Sequence, residues 1–200
     1  MAEVAVGALL VAVALLGGAA VAVRPRANAF DRLVFTAIRP APGSVPLTRV
    51  TDLASPAVLV AAAVVAGLVA LTRDRRRAVG CILGPAAVAV LVELVLKPVV
   101  GRHYQGVLSY PSGNVADTAA VCAAWTLATP RWLRPVAAIA GSAITVAMAV
   151  AVIGLRWHYP SDALGGVLVG VGVVLGLDGA LHLGRAPVVP SGGRAPGGLR

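Results

Sequence analysis

The sequence predicts an all-α membrane protein: a polytopic bundle of six transmembrane helices, with an interfacial amphipathic helix between the first and the second. Three observations carry this. Hydrophobic residues make up 58% of the 200-residue chain and charged residues only 12%, about half the charged share of a soluble domain. So much Ala, Val and Leu cannot be hidden inside a water-soluble fold of this length, and the outer surface must face lipid. Six apolar runs approach the ~20 residues that cross a bilayer, and basic or proline-containing segments punctuate them.

The first run spans residues 2–23 and ends at Arg24-Pro25-Arg26. No basic residue precedes it and it is longer than a signal-peptide core, so it reads as a membrane helix rather than a cleaved leader. In the mixed segment 27–55, Phe30, Leu33, Val34, Phe35 and Ile38 fall at helical spacing, with Asp31, Arg32 and Arg39 between them. That pattern is an amphipathic helix lying in the interface. The second span is 56–71, stopped by Arg73-Asp74-Arg75-Arg76-Arg77. The third is 78–96, leading into Lys97. A polar loop, 101–113, precedes a short fourth span, 114–128. The fifth is 133–155 and the sixth 161–183. These make one domain, 1–183. The remainder, 184–200, is rich in Gly, Pro and Arg and is expected to be disordered.

The balance of 17 basic to 8 acidic residues gives a net charge of +9. The basic residues lie between apolar runs and form no single face, which argues against nucleic acid and for bilayer topology and anionic headgroups. The dense cluster Arg73 to Arg77 in a short loop favours an internal amino terminus, although Arg24 and Arg26 after the first helix argue the other way. Cys81 and Cys122 sit in apolar runs and read as packing thiols. There is no metal-ligand cluster, and no cofactor is expected.

With six spans, the loops after helices one, three and five share one membrane face, whichever way the chain is inserted. Lys97, Arg102, Ser112, Gly113, Asn114, Arg156, His158 and Asp162 all fall there. Each has two readings. Lys97 is a snorkelling lysine paired with Glu93 at i,i+4; with Arg102 it could also clamp a phosphate, as point charge and planar fork. Pro111-Ser112-Gly113-Asn114 caps the fourth helix, or presents that helix's free N–H groups to an anion. In Arg156-Trp157-His158-Tyr159-Pro160-Ser161-Asp162, Asp162 caps the sixth helix and His158 is interfacial, or a carboxylate orients a nucleophilic imidazole. Glu93, Asp117 and Asp178 lie within spans, where a carboxylate raises a functional question; local pairing, Asp178 with His182 for instance, answers it better than an ion path.

The order Lys97…Arg102…Pro111-Ser112-Gly113…His158-Tyr159-Pro160-Ser161-Asp162 resembles the type 2 phosphatidic acid phosphatase (PAP2) superfamily of membrane lipid phosphatases, related to vanadium haloperoxidases. The resemblance covers about residues 30–183. It implies a six-helix core of PAP2 type that hydrolyses lipid phosphate or diphosphate esters without a metal, at the extracytoplasmic face of the cell membrane. It implies that Lys97, Arg102, Ser112 and Gly113 hold phosphate, that His158 forms a phosphohistidine, and that Asp162 orients it. A soluble haloperoxidase is excluded by hydropathy.

Three positions depart from the family pattern. Asn114 stands where the second motif has its general-acid histidine, and Val152 where the third has an arginine. His103 replaces the first motif's proline and is a possible substitute acid. Arg156, two residues before His158, offers charge by another route. Because asparagine cannot supply a proton, the expected substrate is one whose leaving group needs least acid help, such as a polyprenyl diphosphate, with phosphatidate as the alternative lipid. A catalytically impaired PAP2-fold protein that binds lipid or a partner is the other reading.

Overall fold

The computed structural model describes residues 1–183; the expected disordered tail, 184–200, lies outside the described residues. Nine helices and one short hairpin occur among them. Helix α1 (Ala2–Val23) is followed by α2 (Ala29–Ala37) and α3 (Val45–Thr51), so the mixed segment forms two short helices rather than one. Then come α4 (Pro56–Leu71) and α5 (Arg75–Leu91), which runs through a π-helical turn (Val92–Leu96) into α6 (Lys97–Val100). Strands β1 (His103–Tyr104) and β2 (Val107–Leu108) pair antiparallel, and α7 (Gly113–Ala128), α8 (Arg134–Gly154) and α9 (Pro160–Leu181) complete the bundle.

The helix ends follow local chemistry. Asn28 and Asp31 form a reciprocal capping box that starts α2. Pro56, Pro135 and Pro160 occupy first turns, where the missing N–H costs nothing. Gly101 ends α6 at φ +63°. The third span begins three residues earlier than the sequence predicts, because the Asp74 side chain accepts from the Arg76 and Arg77 N–H groups and draws the arginines into the first turn.

All six expected helices form. Four are long and apolar enough to cross a membrane: α1, the continuous stretch Arg75–Val100, α8 and α9. A fifth candidate is Val45–Ala54 with Pro56–Leu71, bent by 49°. At 16 residues α7 is short, about 24 Å, but it packs against α4, α5, α8 and α9. Ten of its residues are buried, so protein rather than lipid covers its ends.

Small residues bring the backbones close. A Cβ on Gly170 would overlap the Ala116 carbonyl oxygen across the α7–α9 contact, and one on Gly7 would sit 2.6 Å from the Gly172 carbonyl across α1–α9. A second apolar cluster, Val115, Met148, Val152, Ile153 and Ala163, packs under Val34, Phe35 and Ile38 of α2 and its end. This seats the interfacial helix on the bundle, at the end where the three functional loops meet.

Candidate active site

The turn from α8 to α9 sets the imidazole. Arg156 adopts φ +61° and the Trp157 N–H returns to the Val152 carbonyl at 2.9 Å, closing α8. The chain then turns outward through His158 before Pro160 starts α9. His158 Nδ1 lies 3.0 Å from the Ser109 carbonyl oxygen. A carbonyl can only accept, so Nδ1 carries the proton and the lone pair of the neutral ring is on Nε2. Asp162, expected to orient the imidazole, does not hydrogen-bond it: its Oδ2 is 3.8 Å from Nδ1 and instead accepts from the Tyr159 N–H at 3.0 Å. Orientation falls to a backbone carbonyl, and the carboxylate contributes charge from just beyond contact.

Arg102 is fully buried, and each of its five N–H donors has a protein acceptor. Nε donates to the Pro25 carbonyl, Nη1 to Ser161 Oγ and Asp162 Oδ1, and Nη2 to the Arg26 carbonyl and Asp31 Oδ2. The Asp162 bond is 2.6 Å and the Asp31 bond 3.0 Å, and both carboxylates are 0% exposed. Asp31 also accepts from the Ser161 N–H at 2.8 Å, and the Tyr159 ring covers the guanidinium at 4.0 Å. The expected phosphate ligand Arg102 is therefore a structural tie. Its fork is spent joining the α1–α2 loop, α2 and the start of α9, and none of it is left for a substrate.

The third part is the start of α7. Ser112 is its N-cap; its N–H donates to the Asp162 carbonyl at 3.0 Å, while its hydroxyl is buried without a partner. Gly113 follows, and a Cβ there would stand 2.5 Å from Glu93 Oε1 and 3.6 Å from Lys97 Nζ. Lys97 pairs with Glu93 at 2.6 Å. The π-turn that carries Glu93 and leads into Lys97 thus faces the buried start of α7 at Gly113; one-turn π-bulges recur at functional sites. The loop between is anchored by Tyr110, whose hydroxyl donates to the Ala14 carbonyl at 2.6 Å. Burial, with the nearby Asp162 charge, pushes that phenol up to about 12 and keeps it a donor.

Among solved structures, a crystal structure of a transmembrane PAP2 type phosphatidylglycerolphosphate phosphatase from Bacillus subtilis superposes on this chain with a TM-score of 0.69. The match covers 87% of this chain and 94% of that one, at 19% sequence identity. This chain has the PAP2 fold. No family model and no curated protein matches the sequence, so the likeness is one of chain path, and the site rests on its own geometry.

Within this PAP2 fold the departing positions take distinct places. Asn114 is half-buried beside Gly113, and its carbonyl accepts from Thr118 Oγ. Val152 is 0% exposed in the apolar cluster under α2, surrounded by hydrocarbon rather than by acceptors. His103 is exposed and its Nδ1 lies 2.9 Å from the Gly101 carbonyl; it makes no hydrogen bond with Lys97, Ser112 or His158. Arg156 lies over the Phe35 ring at 4.0 Å, held by α2. No group of three or more His, Cys, Asp or Glu is placed to hold a metal ion among the described residues.

Sequence reasoning missed Asp31 and the Ser109 carbonyl. Asp31 left a signal, since Asn28-x-x-Asp31 is a capping-box pattern that turns the carboxylate back toward the helix start. A backbone carbonyl leaves none.

Proposed function

We propose that this protein is a membrane lipid phosphatase or diphosphatase that works through a phosphohistidine on His158. The observation that carries the reading is the His158–Ser109 contact: an Nδ1–H fixed on a carbonyl leaves Nε2 as a ready nucleophile. It has a neighbouring anion cradle in the N-terminus of α7, the unpartnered Ser112 hydroxyl, the bare Gly113 backbone and the Lys97 ammonium.

In this mechanism Nε2 attacks phosphorus and the bond from phosphorus to the leaving oxygen breaks, its electron pair departing with that oxygen. Water then attacks the phosphohistidine, the phosphorus–nitrogen bond breaks, and inorganic phosphate leaves with the imidazole restored. Lys97 and the α7 N–H groups neutralise the charge gathering on the non-bridging oxygens. Lys97 must first loosen its pair with Glu93.

Asn114 decides the substrate. Acid help is worth ~10²–10⁴-fold, and an alkoxide needs it far more than a phosphate does. The favoured substrate is a lipid diphosphate such as a polyprenyl diphosphate, cleaved with a lipid monophosphate leaving. The site faces the outside of the cell membrane, with the Arg73 to Arg77 loop inside.

The test is phosphate release by purified protein from a panel of diphosphate and monophosphate lipids, phosphatidate and phosphatidylglycerolphosphate included, with His158→Ala as control. Faster turnover of monophosphates would overturn the diphosphate assignment. A phosphoprotein lost in His158→Ala supports the mechanism. The second reading, a PAP2-fold lipid-binding protein without turnover, is favoured by the closed Lys97–Glu93 pair and by Asn114; binding of these lipids with no phosphate release would establish it.

A further inference from the structure

At the same end of the bundle, the α1–α2 loop builds a second concavity that the catalytic reading does not use. It measures about 740 Å³ and is lined by Arg24, Pro25, Arg26, Ala27, Asn28, Ala29 and Arg32. All three arginines are exposed. Arg32 donates to the Ala27 carbonyl at 2.8 Å. The guanidiniums of Arg24 and Arg26 have no hydrogen-bond or ion-pair partner among the described residues. No carboxylate lines the concavity: Asp31, the nearest in sequence, is buried and accepts from Arg102, the Ser161 N–H and the Asn28 N–H.

Two further features make this more than a run of interfacial arginines. The amino terminus of α2 opens into the same concavity at Ala29, where the N–H groups of Ala29 and Phe30 lie outside the Asn28–Asp31 capping box and add a positive dipole end. The loop is also held in shape from within, since the Pro25 and Arg26 carbonyls accept from Arg102. Arg24 follows directly on the end of the α1 span, and Phe30 and Leu33 of α2 expose apolar surface beside it.

We propose that Arg24, Arg26, Arg32 and the α2 amino terminus bind the phosphate of an anionic phospholipid headgroup, at a site separate from His158. The phosphate chemistry would also suit a free anion; exposed apolar surface around the cradle favours the lipid. Because Arg102 joins this loop to Asp162, an occupied cradle holds the wall of the catalytic turn in place. The binding itself does not depend on the protein's being a phosphatase.

The test uses full-length protein in neutral detergent, titrated with dioctanoyl phosphatidylglycerol, dioctanoyl phosphatidylcholine and sodium phosphate, with bound lipid counted by native mass spectrometry. Phosphatidylglycerol should bind in preference to phosphatidylcholine. Replacing all three arginines, Arg24→Gln, Arg26→Gln and Arg32→Gln, should weaken it on the order of 100-fold. The Arg24→Lys, Arg26→Lys, Arg32→Lys variant, which keeps charge and loses the fork, should fall between. Arg75→Gln with Arg131→Gln, exposed arginines at the start of α5 and in the α7–α8 loop, should leave binding within about twofold, as charge without the cradle contributes little. His158→Ala should bind like the parent, so that a failed phosphatase reading leaves this result standing. Equal binding by the parent and the triple Gln variant overturns the proposal. Displacement of the lipid by equimolar sodium phosphate overturns the lipid assignment.

Discussion

Replacing Arg102 with alanine separates two roles that the same side chain could play. The substitution deletes five hydrogen bonds and leaves Asp31 and Asp162 as buried carboxylates without their cation. Breaking a buried ion pair from one side costs about 3–5 kcal/mol. For a chain of this size each kcal/mol moves Tm by about 2–4 °C, so the expected loss is roughly 6–20 °C. Asp31→Ala should cost less, about 2–4 kcal/mol, since the Arg102–Asp162 pair survives while the three bonds to the Asp31 carboxylate, from Arg102, Ser161 N–H and Asn28 N–H, go. The double variant should be more stable than the sum of the singles by at least about 1 kcal/mol, because each deletion removes part of what the other breaks. Thermal unfolding in detergent, followed by loss of the monodisperse species on size exclusion, reads all four proteins. If Arg102→Ala melts within about 2 °C of the parent while KM for a lipid diphosphate climbs, then Arg102 is a phosphate ligand after all and the structural assignment fails.

Lys97→Ala should show the opposite pattern. Its partner Glu93 is half exposed, so Tm should move little, while kcat/KM falls ~10²–10³-fold as one charge-stabilising donor is lost. Asn114→His should raise turnover of lipid monophosphates by ~10²–10⁴-fold and of diphosphates far less; an equal gain on both would dismiss the leaving-group argument. The acid limb of stability should carry the signature of Asp74. Burial opposes its ionisation, but the hydrogen bonds from His182 and from the Arg77 and Arg76 N–H groups prevail and hold the carboxyl at about 2. A depressed carboxylate contributes stability that is complete above its ordinary value and is lost as pH falls toward about 2. The Asp74→Asn variant should therefore lose less stability than the parent on titration from pH 4 to pH 2.

The helices were legible because apolar runs and their breakers are local signals. So was the meeting of three loops at one face, which follows from counting spans. The ties of Arg102 were not legible for a physical reason: a planar fork serves a phosphate and a pair of buried carboxylates equally well, and its burial shows only in the fold. Asp31 was hidden because a carboxylate in an amphipathic helix looks like part of the wet face. Its arginine lies 71 residues away in the chain. The start of α5 was misplaced for a related reason, since Asp74 looks like loop charge until its side chain is seen accepting the N–H groups of Arg76 and Arg77.

At the opposite end of the bundle, the arginines of the loops, to which the proposed orientation is due, also finish the helices. Arg73 donates to the Ala128 carbonyl, Arg134 to those of Leu127 and Thr129, and Arg76 to that of Leu181, while Arg77 pairs with buried Asp178 at 3.1 Å. On the proposed orientation, one set of side chains carries both insertion and assembly. Charge swaps designed to invert the protein in the membrane would unstitch the ends of α7 and α9 at the same stroke. Exposed Arg75, at the start of α5, and Arg131, in the α7–α8 loop, are the positions at this end where charge can be changed with these helix ends left alone.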